Sequence, residues 1–200
     1  MQKRFAFLLA SLWLATATHA QQPAATTYKA AVVALTDDTA LRQSFETELV
    51  ALARTHDYDA VTSYDITRDV ADLDRDEFLE ALAERGIQAV LMVRPAAVGE
   101  GSSLESVRAE VSSRTFQDMQ RFARRPSGSS NTDLIAVVHL AIYAMTGTEP
   151  EFISSGAVWL DEPVTDRAEG IRRLQALILQ NVDAVRPAIR RHLGLAPLAQ

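Results

Sequence analysis

The chain has 200 residues, 48% of them hydrophobic and 23% charged, with a formal charge of -6. That is the composition of a soluble globular protein, and it excludes collagen, long disordered tails and multi-pass membrane proteins. Residues 1–20 hold Lys3 and Arg4 and no acid, so their removal takes the charge to -8, a balance unsuited to a general nucleic-acid binder.

In chain order, Lys3 and Arg4 precede an apolar run from Phe5 to Ala15 and a small-residue exit ending Thr18-His19-Ala20. This pattern predicts a secretory signal peptide over residues 1–20, cleaved after Ala20, with Ala17 as the second choice. The apolar run is shorter than the roughly 20 residues a bilayer span needs, so the expected product is periplasmic or secreted with no transmembrane segment. Cysteine is absent. Disulfides, thiolate metal sites, a cysteine nucleophile and a lipid-bearing cysteine behind the signal segment are thereby excluded from the expectation.

After a flexible segment at 21–27, residues 28–35 form a short apolar run that ends at Thr36-Asp37-Asp38, a strand leading into a helix cap. Leu41, Phe45, Leu49 and Leu52 then draw one apolar helical stripe, with Arg42, Glu46 and Glu48 pointing away from it. Ala60–Tyr64 reads as a second strand. Asp74 and Glu77 have capping-box spacing, and Phe78, Leu79 and Leu82 give the buried side of a helix ending near Gly86. Ile87–Val93 is a third strand, so residues 28–94 alternate strand and helix in the order that favours a parallel or mixed sheet.

Residues 95–131 break the pattern, opened by Gly99-Glu100-Gly101-Ser102-Ser103 and closed by Pro126–Asn131, and read as an insertion. Leu134–Met145 and Phe152–Leu160 make a hairpin across Thr146–Pro150. From Asp166 to Leu193 a helix carries Ile171, Leu174, Ile178, Val182, Val185 and Ile189 at helical spacing, with a second capping-box spacing at Asp166 and Glu169 and a kink or stop expected at Pro187. The predicted architecture is one compact α/β domain over 28–193, a mixed sheet in the order β-α-β-α-β-(insertion)-β-β-α with helices packed on it, and a tail at 194–200.

Ala31–Leu35 opening the domain, Gly86–Val93 after the second helix, and Tyr143, Gly147 and Val158-Trp159-Leu160 on the hairpin resemble the small α/β fold of the TolB N-terminal domain. Periplasmic penicillin-binding-protein activators and curli-secretion lipoproteins share that fold. The resemblance covers most of residues 28–193 and implies a non-catalytic docking role in the cell envelope. This chain departs from such relatives in lacking the lipid-modified cysteine.

The residues that carry chemistry are scattered. His56, His139 and His192 fall in different elements without metal-ligand spacing, and no metal site or cofactor is expected. His139 shares a strand face with Ile135, Val137, Ala141 and Tyr143, which suits a satisfied core histidine or a surface-facing strand residue better than a catalytic base. Acids gather at Asp57, Asp59, Asp65, Asp69, Asp72, Asp74, Asp76 and Glu77. A calcium loop beginning at Asp72 fails, because Glu77 stands where the turn needs glycine and Ala83 where the closing glutamate belongs. No nucleophile elbow or phosphate cradle is present, and no catalytic residue is assigned.

Within the insertion, Leu104, Val107, Val111, Phe116, Met119 and Phe122 alternate with basic residues. Arg108, Arg114, Phe116, Met119, Arg121, Phe122, Arg124 and Arg125 are the candidate partner-binding residues, with Phe116, Met119 and Phe122 as anchors. The competing reading is a short helix whose apolar residues fold back on the sheet. The expected function is a soluble periplasmic adaptor that acts by contact with an envelope protein. The alternatives are a periplasmic hydrolase using the acids with His56 or His139, and a small-ligand carrier with an apolar pocket between sheet and terminal helix.

Overall fold

A computed structural model describes residues 27–67, 75–97, 117–123, 135–161, 164 and 166–197. The expected signal segment, Asp69, Asp72 and Asp74 with its expected capping box, and most of the expected insertion lie outside the described residues. The elements are β1 (Lys29–Ala34), α1 (Thr39–Arg54), β2 (Asp59–Thr62), α2 (Ser63–Ile66), α3 (Arg75–Glu84), β3 (Ala89–Ala97), α4 (Met119–Ala123), β4 (Ile135–Thr146), β5 (Glu149–Trp159) and α5 (Arg167–His192).

The described strands make one mixed sheet, as the alternating pattern predicts, and its strand order is β2-β1-β3-β4-β5. β1 pairs in parallel with β2 and β3, because each crossover carries a helix. β4 and β5 are antiparallel to their neighbours, and two residues, Gly147 and Thr148, join them. Gly147 has φ +65°, the positive value that a type II′ hairpin turn requires at its first central position.

The sheet separates two apolar layers. On one face α1 and α5 pack Leu41, Phe45, Leu49, Leu174 and Ile178 onto Val32, Leu91, Leu140 and Ile142. On the other, α3 and α4 pack Phe78, Leu82, Met119 and Phe122 onto Val33, Val90, Met92, Ala141 and Tyr143. Successive strand residues alternate between the layers, as the pleat demands. Helix ends are fastened by side chains: the Asp38 carboxylate accepts from Leu41 N at 2.8 Å, and Asp166 accepts from Ala168 N at 2.9 Å.

Several local expectations change. β2 stops at Thr62 instead of continuing to Tyr64, because Thr62 and Asp65 form a reciprocal capping box that turns Ser63–Ile66 into a helical turn. β3 starts at Ala89 and runs through Pro95 to Ala97, beyond the break the pattern places after residue 94. At the start of α5, Glu169 pairs with Arg172 at 2.7 Å instead of closing a capping box. α5 also continues through Pro187. Proline denies the Asp183 carbonyl its N–H, but Val182 and Ile189 on either side are buried, and their packing carries the helix past it. Its end is a Schellman turn, with Gly194 at φ +66° and Leu195 N bonded to Arg190 O at 2.8 Å. Arg190, itself buried, grips the Ala196 carbonyl, so the first residues of the tail belong to the fold.

Candidate functional site

The insertion returns to the domain at α4, on the face opposite α1 and α5. Two of the expected contact anchors are overturned there: Phe122 is 0% and Met119 6% exposed, both packed in the core layer beneath α4. An apolar side chain three residues from another on a helix brings both to the same side, and here that side meets Met92 and Tyr143. Arg121 points outward and pairs with Asp118, Nε to Oδ2 at 3.5 Å. Arg108, Arg114, Phe116, Arg124 and Arg125 lie outside the described residues.

Beside α4 the sheet carries a polar pair in an apolar layer. Arg94 and His139 are cross-strand neighbours on β3 and β4, and the guanidinium lies 2.5 Å from His139 Nδ1 and 5.9 Å from the Phe122 ring centroid. Arginine only donates, so Nδ1 is the acceptor and the imidazole is neutral with its proton on Nε2. The lone pair a general base needs is therefore engaged. His139 is 4% exposed, which places it in the core and not on the surface-facing side the sequence left open. His56 stands beyond the start of β2, whereas His139 faces the far end of β3, so the two histidines lie at opposite ends of the sheet.

Past His139 the same face runs out to β5, where Ser155, Ala157 and Trp159 pair with Ala141, His139 and Val137. These three are half-buried, and among the described residues no sixth strand joins the sheet beyond them. A bulge at Ile153 separates this run from the first residues of the strand. Before it stand Glu149, Pro150 and Glu151; from Ser154 to Trp159 there is neither charge nor proline.

The residue that sequence reasoning misplaces most is Glu46. It is 0% exposed, although helical spacing puts it off the apolar stripe. Its carboxylate accepts from Ala34 N, Ser63 N and Ser63 Oγ, each at 2.8 Å, binding the end of β1 to the start of α2. Burial pushes its carboxyl up to about 7, against the pull of those bonds and of Arg42. Arg42, also buried, donates to Tyr64 Oη at 2.5 Å and lies 4.8 Å from that ring. Nothing in a helical period signals this, because the partners come from β1 and α2. With every carboxylate oxygen engaged and no exposure, Glu46 is a fastening and not a reactive acid.

At the opposite end of the sheet, Tyr58 donates to Asp183 at 2.7 Å and stacks under Arg186, which holds the His56 and Asp57 carbonyls. His56 also meets Asp183 at 3.5 Å. Tyr28 abuts Tyr58 edge-on, and burial pushes its hydroxyl up to about 12. Behind these rings, between sheet and α5, lies an apolar void of about 40 Å³ lined by Leu49, Ala53, Leu91, Leu179 and Ile189 among others. It occupies the place the carrier reading names, but a small-molecule site needs roughly 300 Å³ or more. As it stands it is a packing gap.

Among the described residues, no three histidine or acidic side chains are grouped to hold a metal ion, and no helix is long and apolar enough to cross a membrane. Compared with protein families, curated proteins and solved structures, the chain matches none. Its class therefore rests on its own fold: a mixed α/β domain with one layer of helices on each face and β5 last in the described strand order.

Proposed function

We propose that this protein is a non-catalytic adaptor of the cell envelope, exported to the periplasm by residues 1–20, that works by protein contact on the face bearing α4. The observation that supports it is the anchoring of α4: Met119 and Phe122 pack into the core layer while Arg121 stays outside. Arg108, Arg114, Phe116, Arg121, Arg124 and Arg125 then form the contact set, with Met119 and Phe122 as its support. Basic side chains on a chain of formal charge -6 select an acidic partner surface. The apolar segments whose sequence resembles the TolB N-terminal domain support the same role.

A photocrosslinking residue in place of Arg121 tests this in periplasm. One dominant envelope protein is expected in the adduct, with none from the same residue at Gln43 on α1, on the opposite face. Arg121→Glu with Arg124→Glu should cut the adduct, formed from a third site at Gln117, by about tenfold. Thermal stability should stay within about 0.5 kcal/mol of the parent. An undiminished adduct in that double variant overturns the assignment.

A further inference from the structure

Glu46 holds α2 to the sheet with a titratable group that has no counter-ion. Its buried carboxyl is held by Ala34 N, Ser63 N and Ser63 Oγ, and among the described residues it forms no ion pair. Arg42, one turn before it on α1, is the charge that bears on it, and that guanidinium donates to Tyr64 Oη on α2. The other ionisable groups nearby are engaged elsewhere: Asp65 on α2 is exposed and accepts from Thr62, and Asp38 caps α1. β1 and β2 bring the neutral Ala34 and Thr62 to this end, and α5 brings the neutral Gln175, which donates to the Phe45 carbonyl and reaches Glu48 at 3.5 Å.

A carboxylate enclosed in this way has neither water nor a bonded cation to offset its desolvation. The closed arrangement therefore favours the neutral acid, and any opening that wets Glu46 favours the charged one. Of the elements around it, α2 is the least firmly held. It is one turn of four residues, whereas α1 has 16 and β1 lies between two strands. At its end α2 carries Ile66, which is 5% exposed and belongs to the same apolar layer as Met119 and Phe122 of α4.

We infer that Glu46 is a pH-operated latch, whose ionisation releases α2, withdraws Ile66 from the layer that seats α4, and so loosens the base of the contact face. The inference rests on the adaptor reading only for the role of the face it regulates. The sign follows from where the proton is held more tightly. The closed form keeps it up to about pH 7 and the opened form loses it from about 4.5, so the latch loosens as pH rises through that window and changes little above it. Arg42 keeps its charge throughout and adds no pH dependence of its own. By linkage, a partner that holds α4 in place favours the protonated acid.

Native-state amide hydrogen exchange on the intact protein tests this at three reporters. Ser63 N donates to Glu46 at 2.8 Å, Thr67 N to the Ser63 carbonyl at 2.9 Å, and Phe122 N to the Asp118 carbonyl at 3.0 Å. Protection factors at Ser63 and Thr67 should fall about tenfold or more between pH 5 and pH 7.5, and Phe122 should follow by a smaller factor. The loss should depend little on dilute denaturant, because a local opening exposes little surface, whereas amides of β3 follow global unfolding. Glu46→Gln has no proton to lose and should abolish the pH dependence at all three. Ile66→Ala keeps the latch and cuts its connection, so Ser63 should still respond to pH and Phe122 should not. Protection at Ser63 that is flat with pH in the parent, or a change there that Phe122 does not follow, overturns the inference. The adaptor reading is judged apart from this by the photoadduct from position 121 at pH 5, where the latch is closed; no adduct there sinks that reading and leaves the exchange result standing.

Discussion

The two edges of the sheet are handled in opposite ways. β2 is four residues long, the exposed Arg54 donates to its Ala60 carbonyl at 2.9 and 3.1 Å, and the capping box at Thr62 ends it in a helical turn. Glu46 then holds that turn to β1 from within. β5 is eleven residues long, and its last six carry neither charge nor proline. A sheet edge is a template for pairing, and at β2 the chain closes it with a guanidinium and a buried carboxylate.

The contrast is broken most severely at the support of the β5 side. Phe122→Ala should cost about 3–5 kcal/mol in denaturant unfolding, because a fully buried aromatic is lost from the layer between α4 and β4. Were Phe122 a contact residue, the variant would melt like the parent and lose only its partner.

Glu46 sharpens the closed side. The folded protein keeps the Glu46 proton up to about pH 7, while the unfolded chain releases it from about 4.5. Stability therefore falls as pH rises through that window, by about 3 kcal/mol in all, and levels off above it. Neutral glutamic acid can turn its hydroxyl to Ser63 Oγ and still accept from both backbone N–H groups. Glutamine cannot, because its amide nitrogen faces a donor whichever way it turns. Glu46→Gln should lose about 1–3 kcal/mol at pH 5 and flatten the pH dependence of the melting temperature between pH 5 and 7. A slope that survives the substitution would place its origin in another group.

The smallest effect is expected at Arg54. Arg54→Ala uncovers the Ala60 carbonyl at an exposed site, and should cost under about 1 kcal/mol in a thermal melt. Four residues are too few for a stable added strand, so its sedimentation should match the parent's. New association in this variant would mean that strand length is not what separates the two edges.

Much of this fold is legible along the chain. The stripe Leu41, Phe45, Leu49 lies in the core, Asp38 and Asp166 cap their helices, Phe78, Leu79 and Leu82 are buried, and the hairpin turns at Gly147. Each follows from interactions between residues close in sequence or from one periodicity. The boundaries that moved did so where local and distant interactions compete. Thr62 and Asp65 end β2 through their own bonds, and packing at Val182 and Ile189 carries α5 past Pro187.

The candidate site divides along the same line. The alternation of apolar and basic residues in the insertion is visible in sequence, but which apolar residues turn inward is not. Phe116, Met119 and Phe122 look alike as letters; Met92 and Tyr143, supplied by other strands, take Met119 and Phe122 into the core. His139 was legible as a strand residue, and its engaged Nδ1 was not, since Arg94 lies 45 positions away in the chain.

Sequence alone determined the class of this protein, a mixed α/β domain without thiols, because hydrophobic period and capping chemistry act over a few residues. Tertiary structure alone decided that Glu46 is a buried fastening, that Met119 and Phe122 turn into the core, and that β5 pairs beyond β4. Each of those depends on which distant strand or helix becomes a neighbour, and a pattern written along one chain does not encode distance through space.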